Sequence, residues 1–108
     1  MTQQKVEQMC KQMREAVNAH FAAEISPAIE LIPWRFDEFP EKPIRQAQHA
    51  LFMLDKIPVL HSDPERREKA NRWIGFVQGW LCTARISSLE SLKCMNMPDS
   101  EQYSKERL

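Results

Sequence analysis

An all-α domain of three main helices and a short fourth, with a proline-rich ordered connection between the first two, is the fold this sequence predicts. Three observations carry that expectation. Only two glycines stand against seven prolines, far fewer positive-φ positions than a hairpin-rich β fold needs. Apolar residues recur at three- and four-residue steps, the period of a helix with one buried face. The chain has 108 residues, room for one hydrophobic core and not two. Hydrophobic residues at 43% and charged residues at 28% are ordinary for a chain that folds.

The first helix follows from Val6, Met9, Met13, Val17 and Phe21, which share one stripe, with Thr2 as N-cap and an end near Ala23. Between Glu24 and Pro43 the residues before Pro27, Pro33, Pro40 and Pro43 are pushed toward extended backbone, so regular helix stops. The segment still holds Ile29, Leu31, Ile32, Trp34, Phe36 and Phe39, too apolar for a free linker, and an ordered connection laid across the helices is expected. Its acids Glu30, Asp37, Glu38 and Glu41 outnumber Arg35 and Lys42.

Pro43 suits a first helical turn, and Ile44, Ala47, Leu51 and Leu54 follow at helical spacing. The second helix is expected to run to about Leu54, stopped near Lys56 by Pro58, with Val59-Leu60-His61 as a linker. Ser62 and Glu65 have the spacing of a capping box, with Pro64 in the first turn, and open the third helix. Ala70, Trp73, Ile74, Val77, Trp80, Leu81 and Ala84 form its core stripe, which makes it the expected central element. Ser87 with Glu90 repeats the capping spacing and opens a fourth helix from Ser88 to about Met95, closed by Pro98. Residues 1–98 thus read as one domain, and 99–108 as a polar tail that frays.

Fifteen basic and fifteen acidic residues leave no net charge, so bulk binding to nucleic acid is disfavoured. Cys10, Cys82 and Cys94 are an odd, widely spaced set with neither disulfide nor zinc spacing, and Cys82 and Cys94 read as small core residues. The N-terminus lacks the apolar run of a secretory signal, and the longest apolar stretch, Trp73 to Cys82, is about half of the ~20 residues a membrane span needs. The expected location is a bacterial host's cytoplasm, away from membranes. No catalytic, cofactor or metal residue is assigned, and an enzyme is not expected. Glu65 and Glu68 have the spacing of helical Mg²⁺ ligands, but the second carboxylate pair such a site needs is missing from a facing helix, since Asp37, Glu38 and Glu41 surround Pro40. His20, His49 and His61 have no Ser or Cys placed beside them, and His49 reads as a half-buried structural residue.

The features that remain are suited to contact. Gly75, Gly79 and Thr83 line up along the third helix, with Phe76 and Cys82 beside them. Each interior glycine costs about 1 kcal/mol relative to alanine, and close approach of a neighbouring helix is the natural offset. A helix apolar on nearly every side must be covered twice, either by another helix of the same chain or by a second copy in a homodimer. Trp34 beside Arg35 pairs two residue types that dominate interface hot spots, although Trp34 also suits a plug for the core. Arg66, Arg67, Lys69 and Arg72 are interleaved with Glu65 and Glu68, a mixed-charge solvated face. The alternative reading gives Arg66, Arg67 and Arg72 to a phosphate, with Trp34 or Trp73 stacking on a base.

The run Arg72-Trp73-x-Gly75-Phe76-x-Gln78-Gly79-x-Leu81, followed by Ser87-Ser88-Leu89-Glu90 and Asn96-Met97-Pro98, resembles small uncharacterised accessory proteins of tailed bacteriophages and prophages. The resemblance spans Leu51 to Pro98 and leaves Met1 to Pro43 without a counterpart. It implies a product that acts by binding a host or phage protein, and it assigns no catalytic residue.

Overall fold

A computed structural model of the chain describes residues 1–22, 29–35 and 37–96. Four α-helices follow one another: α1 (Gln3–His20), α2 (Pro43–Ser62), α3 (Arg67–Thr83) and α4 (Leu89–Asn96), with a 3₁₀ turn at Pro64–Arg66 leading into α3. No strand occurs among the described residues, and the all-α class is that of the sequence reading.

α1 begins where its cap requires. The Thr2 hydroxyl oxygen accepts from the Lys5 N–H at 3.1 Å, and Val6, Met9, Met13, Val17 and Phe21 are all buried, joined by Cys10. Burial pushes the Cys10 thiol up to about 11, so it packs as a small apolar group and is not a nucleophile at neutral pH. The helix stops at His20, short of the expected Ala23, which lies outside the described residues.

α2 departs most from expectation. Pro58 does not end it; the helix passes through the proline to Ser62, and the linker expected at Val59-Leu60-His61 is a helical turn. An interior proline costs about 3 kcal/mol because it removes one hydrogen bond and crowds the preceding turn. Tertiary contacts offset this. Ile57, Leu60 and His61 are buried, and the Gln3 side chain on α1 donates from Nε2 to the Pro58 carbonyl at 2.8 Å while its Oε1 lies 2.7 Å from His61 Nδ1. With this extra length α2 buries Ala47, Ala50, Leu51, Met53, Leu54, Ile57 and Leu60, about half its circumference. It therefore lies between α1 and α3 as the central element, the place the sequence reading gave to the third helix.

α3 buries a narrower stripe of Ala70, Ile74, Val77 and Leu81, with Trp73 and Trp80 half-buried on its flank. The 3₁₀ turn that leads into it is capped by Asp63 and not Ser62, and α3 itself begins without a side-chain cap. The Asp63 carboxylate accepts from the Glu65 N–H at 3.0 Å, whereas the Ser62 hydroxyl turns back to donate to the Val59 carbonyl at 2.6 Å. At the other end Arg85 adopts φ 61°, and the Ile86 and Arg85 N–H groups close onto the carbonyls of Leu81 (2.9 Å) and Cys82 (3.1 Å), a Schellman ending without its usual glycine. α4 is capped one residue later than the spacing suggested, by Ser88, whose hydroxyl accepts from the Ser91 N–H at 3.1 Å. Leu92 anchors it, and Gln78 and Asn96 exchange reciprocal amide bonds of 2.6 and 3.1 Å across to α3. The closing Pro98 and the polar tail lie outside the described residues. No described helix is long and apolar enough to cross a membrane.

Candidate functional site

One guanidinium organises the connection. Arg45, in the first turn of α2, donates from Nε and Nη2 to the two Glu38 carboxylate oxygens at 2.8 Å each, from Nη1 to the Ile32 carbonyl at 2.7 Å, and from Nη2 to the Pro33 carbonyl at 2.8 Å. A further bond from Nη1 reaches Gln48 Oε1 at 3.2 Å. A segment without helical hydrogen bonds must satisfy its carbonyls otherwise, and here one planar side chain takes those of Ile32 and Pro33 while Gln46 Nε2 donates to that of Pro40 at 3.0 Å. The Arg45 hydrogen bonds, helped by the Arg35 N–H at 3.1 Å, hold the Glu38 carboxyl down at about 2.

Thus fixed, the connection presents Trp34 to α2. The Trp34 backbone N–H donates to His49 Nδ1 at 3.0 Å and its indole N–H to the Arg45 carbonyl at 3.3 Å, while the indole stacks on the imidazole at 4.3 Å and 15°. Phe76 of α3 meets both rings edge-on, with centroids 6.0 Å away in each case. Met53, one turn after His49, and Arg72 and Trp73, one turn before Phe76, complete a groove of about 390 Å³ lined by Trp34, His49, Met53, Arg72, Trp73 and Phe76. Lys69 lies over Trp73 at 5.3 Å. The result is an apolar aromatic trough, basic along one edge.

The structure thus gathers Trp34, Phe76 and Arg72 from the sequence-derived candidates. Arg35 is exposed and does not line the groove. The phosphate trio is not assembled: Arg66 lies 3.8 Å from Asp63, Arg67 donates to the His61 carbonyl at 3.0 Å, and only Arg72 reaches the groove. Gly75 and Gly79 correct the idea that another helix of this chain covers them, because both are exposed and a Cβ added to either meets nothing within 4 Å. The narrow buried stripe of α3 explains it: α2 and the core fill one side, and no described residue packs on the glycine edge. Thr83 is exposed with its hydroxyl returned to the carbonyls of Gly79 and Trp80 at 3.1 Å, and Cys82, expected in the core, is exposed on the same bare face. His49, Met53 and Arg45 were not singled out as site residues. The His49/Met53 spacing marks one helix face, but no local pattern shows that Trp34 folds back onto it.

Bare glycines inside a helix carry a consequence. Gly75→Ala and Gly79→Ala should each raise the unfolding free energy of the monomer by roughly 0.5–1 kcal/mol, since alanine meets no obstacle and restricts the unfolded chain. Urea melts at low protein concentration measure this, and a loss of stability in either variant contradicts it.

His49 and His61 favour the neutral form. Burial, then Arg45, lowers the His49 pKa, and burial, then Arg67, lowers that of His61, which is 4% exposed. Protonation at Nδ1 of His49 also removes the acceptor of the Trp34 N–H. A base whose folded pKa is depressed makes the unfolded state bind more protons, so stability is full above about pH 6.5 and declines as pH falls through that value toward the lower folded pKa values. Urea midpoints at pH 7.5 and 5.5 should differ, the acid one being lower; equal midpoints refute the assignment.

Among the described residues no group of three or more His, Cys, Asp or Glu is placed to hold a metal ion. No protein-family model matches this chain, and no curated protein or solved structure does either.

Proposed function

We propose that this chain is a protein-interaction module without chemistry of its own: a phage-type accessory protein of the bacterial host cytoplasm that modulates or inhibits a host or phage protein by contact. One observation carries the reading. Trp34, His49, Met53, Trp73 and Phe76 form a concave apolar surface with a guanidinium at its rim, the mixture of aromatic groups and arginine that concentrates binding energy in protein interfaces.

The test uses the tagged chain and its Phe76→Asp variant in lysates of infected and uninfected bacteria. Phe76 is 48% exposed, so the variant keeps its helical circular dichroism, and the wild type is expected to retain a protein that the variant loses. Equal retention by both refutes a docking role for the groove. Arg72 beside Trp34 and Trp73 favours a second reading, in which the groove takes a nucleotide or a nucleic-acid end. Salt separates the two, because phosphate contacts weaken steeply with ionic strength and an apolar protein contact does not.

A further inference from the structure

We infer that the occupant of the groove is a second copy of this chain, with Phe39 as the inserted side chain. The inference rests on the groove being protein-binding, and it names the partner from the molecule's own surface. Phe39 is 91% exposed, by far the barest large apolar side chain among the described residues, and it stands on the connection that Arg45 clamps. A ring held out on an ordered segment has already lost much of the freedom that binding removes.

The surroundings of ring and groove are complementary. Phe39 is flanked by the exposed acids Asp37 and Glu41, with Lys42 at the far end, while Glu38 between them is neutralised by Arg45. The groove has the opposite edge, with Arg72 in its lining and Lys69 over Trp73. Arg72 now pairs with Glu68 at 3.0 Å, and both side chains are largely exposed, an i,i+4 pair weak enough to exchange for an incoming carboxylate. The groove volume of about 390 Å³ sits at the low end for ligand sites, a size that suits one or two side chains and not an extended ligand.

Topology lets the contact close. Trp34 and Phe39 are five residues apart, so the groove edge and the inserted ring are separated by at most roughly 17 Å of chain. A two-fold axis between them seats each Phe39 in the other copy's groove, making a closed dimer and not an open fibre. Phe76 lines the groove and adjoins Gly75, and a Cβ added at Gly75 or Gly79 meets nothing within 4 Å, so the surface beside the groove is open to a second copy.

Sedimentation velocity of the full chain from micromolar to millimolar concentration tests this. The wild type is expected to dimerise, and Phe39→Ser and Phe76→Asp each to raise the dimer Kd by at least about tenfold with circular dichroism unchanged. Arg72→Glu and Asp37→Arg should each weaken the dimer and, combined in one chain, recover part of the loss. A wild type that stays monomeric throughout overturns the inference, as does a Phe39→Ser chain that dimerises as the wild type does. The broader reading fails separately. Phe39-dependent dimerisation with no Phe76-dependent capture of a foreign protein keeps this inference and removes the accessory role, and a monomer that still captures one through Phe76 does the reverse.

Discussion

Leu54→Ala is expected to lower the unfolding free energy by about 3 kcal/mol and the melting temperature by on the order of 15 °C. Leu54 is completely buried on α2, the helix that packs against both α1 and α3, so the truncation leaves a cavity where two interfaces meet. The walls are helices tied together by caps and interhelical side-chain bonds, and a site of that kind collapses little around a void. Set against a total of about 5–15 kcal/mol for a domain, this one residue carries a large share. Val59→Ala on the same helix is the control: Val59 is 67% exposed and should change stability by less than about 0.5 kcal/mol. Chemical denaturation followed by circular dichroism decides, and a loss below about 1 kcal/mol at Leu54 contradicts the central position of α2.

Residue by residue, the stripe on α1 is the clearest case of a fold written in sequence. Its cap and every predicted contact residue are where a 3.6-residue period puts them, because one face of a surface helix needs only local information to identify. Pro58 shows the limit of local rules. The penalty of a proline is fixed by its neighbours, but the compensation comes from Gln3, fifty-five positions away, and nothing near Pro58 announces it. Mistaking that proline for a stop shortened α2 and made α3 look central. The glycine pair misled for a related reason: its spacing says that something can approach closely, not that the chain supplies the something. The groove was half legible. Trp34, Phe76 and Arg72 stand out by residue type, whereas Arg45 and His49 matter through bonds to backbone groups on a segment that has no periodicity to read.

Arg45→Met is expected to dissolve the groove while leaving the helices in place. Methionine keeps the aliphatic stem and removes every donor, so the carbonyls of Ile32 and Pro33 lose their guanidinium together and the Glu38 carboxylate keeps only the Arg35 N–H. α1, α2 and α3 share a core that the guanidinium does not enter, and far-ultraviolet circular dichroism should hardly change. Release of the connection frees Trp34 from His49, so tryptophan emission shifts to the red and tryptic cleavage after Arg35 accelerates by on the order of tenfold or more. Dimerisation through Phe39 and capture of a partner through Phe76 should both fail, since one lies on the connection and the other opposes Trp34. Arg45→Lys rescues little, because an ammonium cannot span a carboxylate and two carbonyls at once. Acid dissects the same clamp. Glu38 ionises at about 2 in the fold against 4.5 ordinarily, so its contribution is intact above pH 4.5 and is lost only as pH falls toward 2. His49, its pKa lowered by burial and by Arg45 but still above that of Glu38, titrates first as pH falls, so the stacked Trp34 should loosen while the Arg45–Glu38 pair still holds the connection. An Arg45→Met chain with wild-type proteolysis and emission removes the clamp from the account, and with it the reason why a segment so rich in proline presents an ordered aromatic surface.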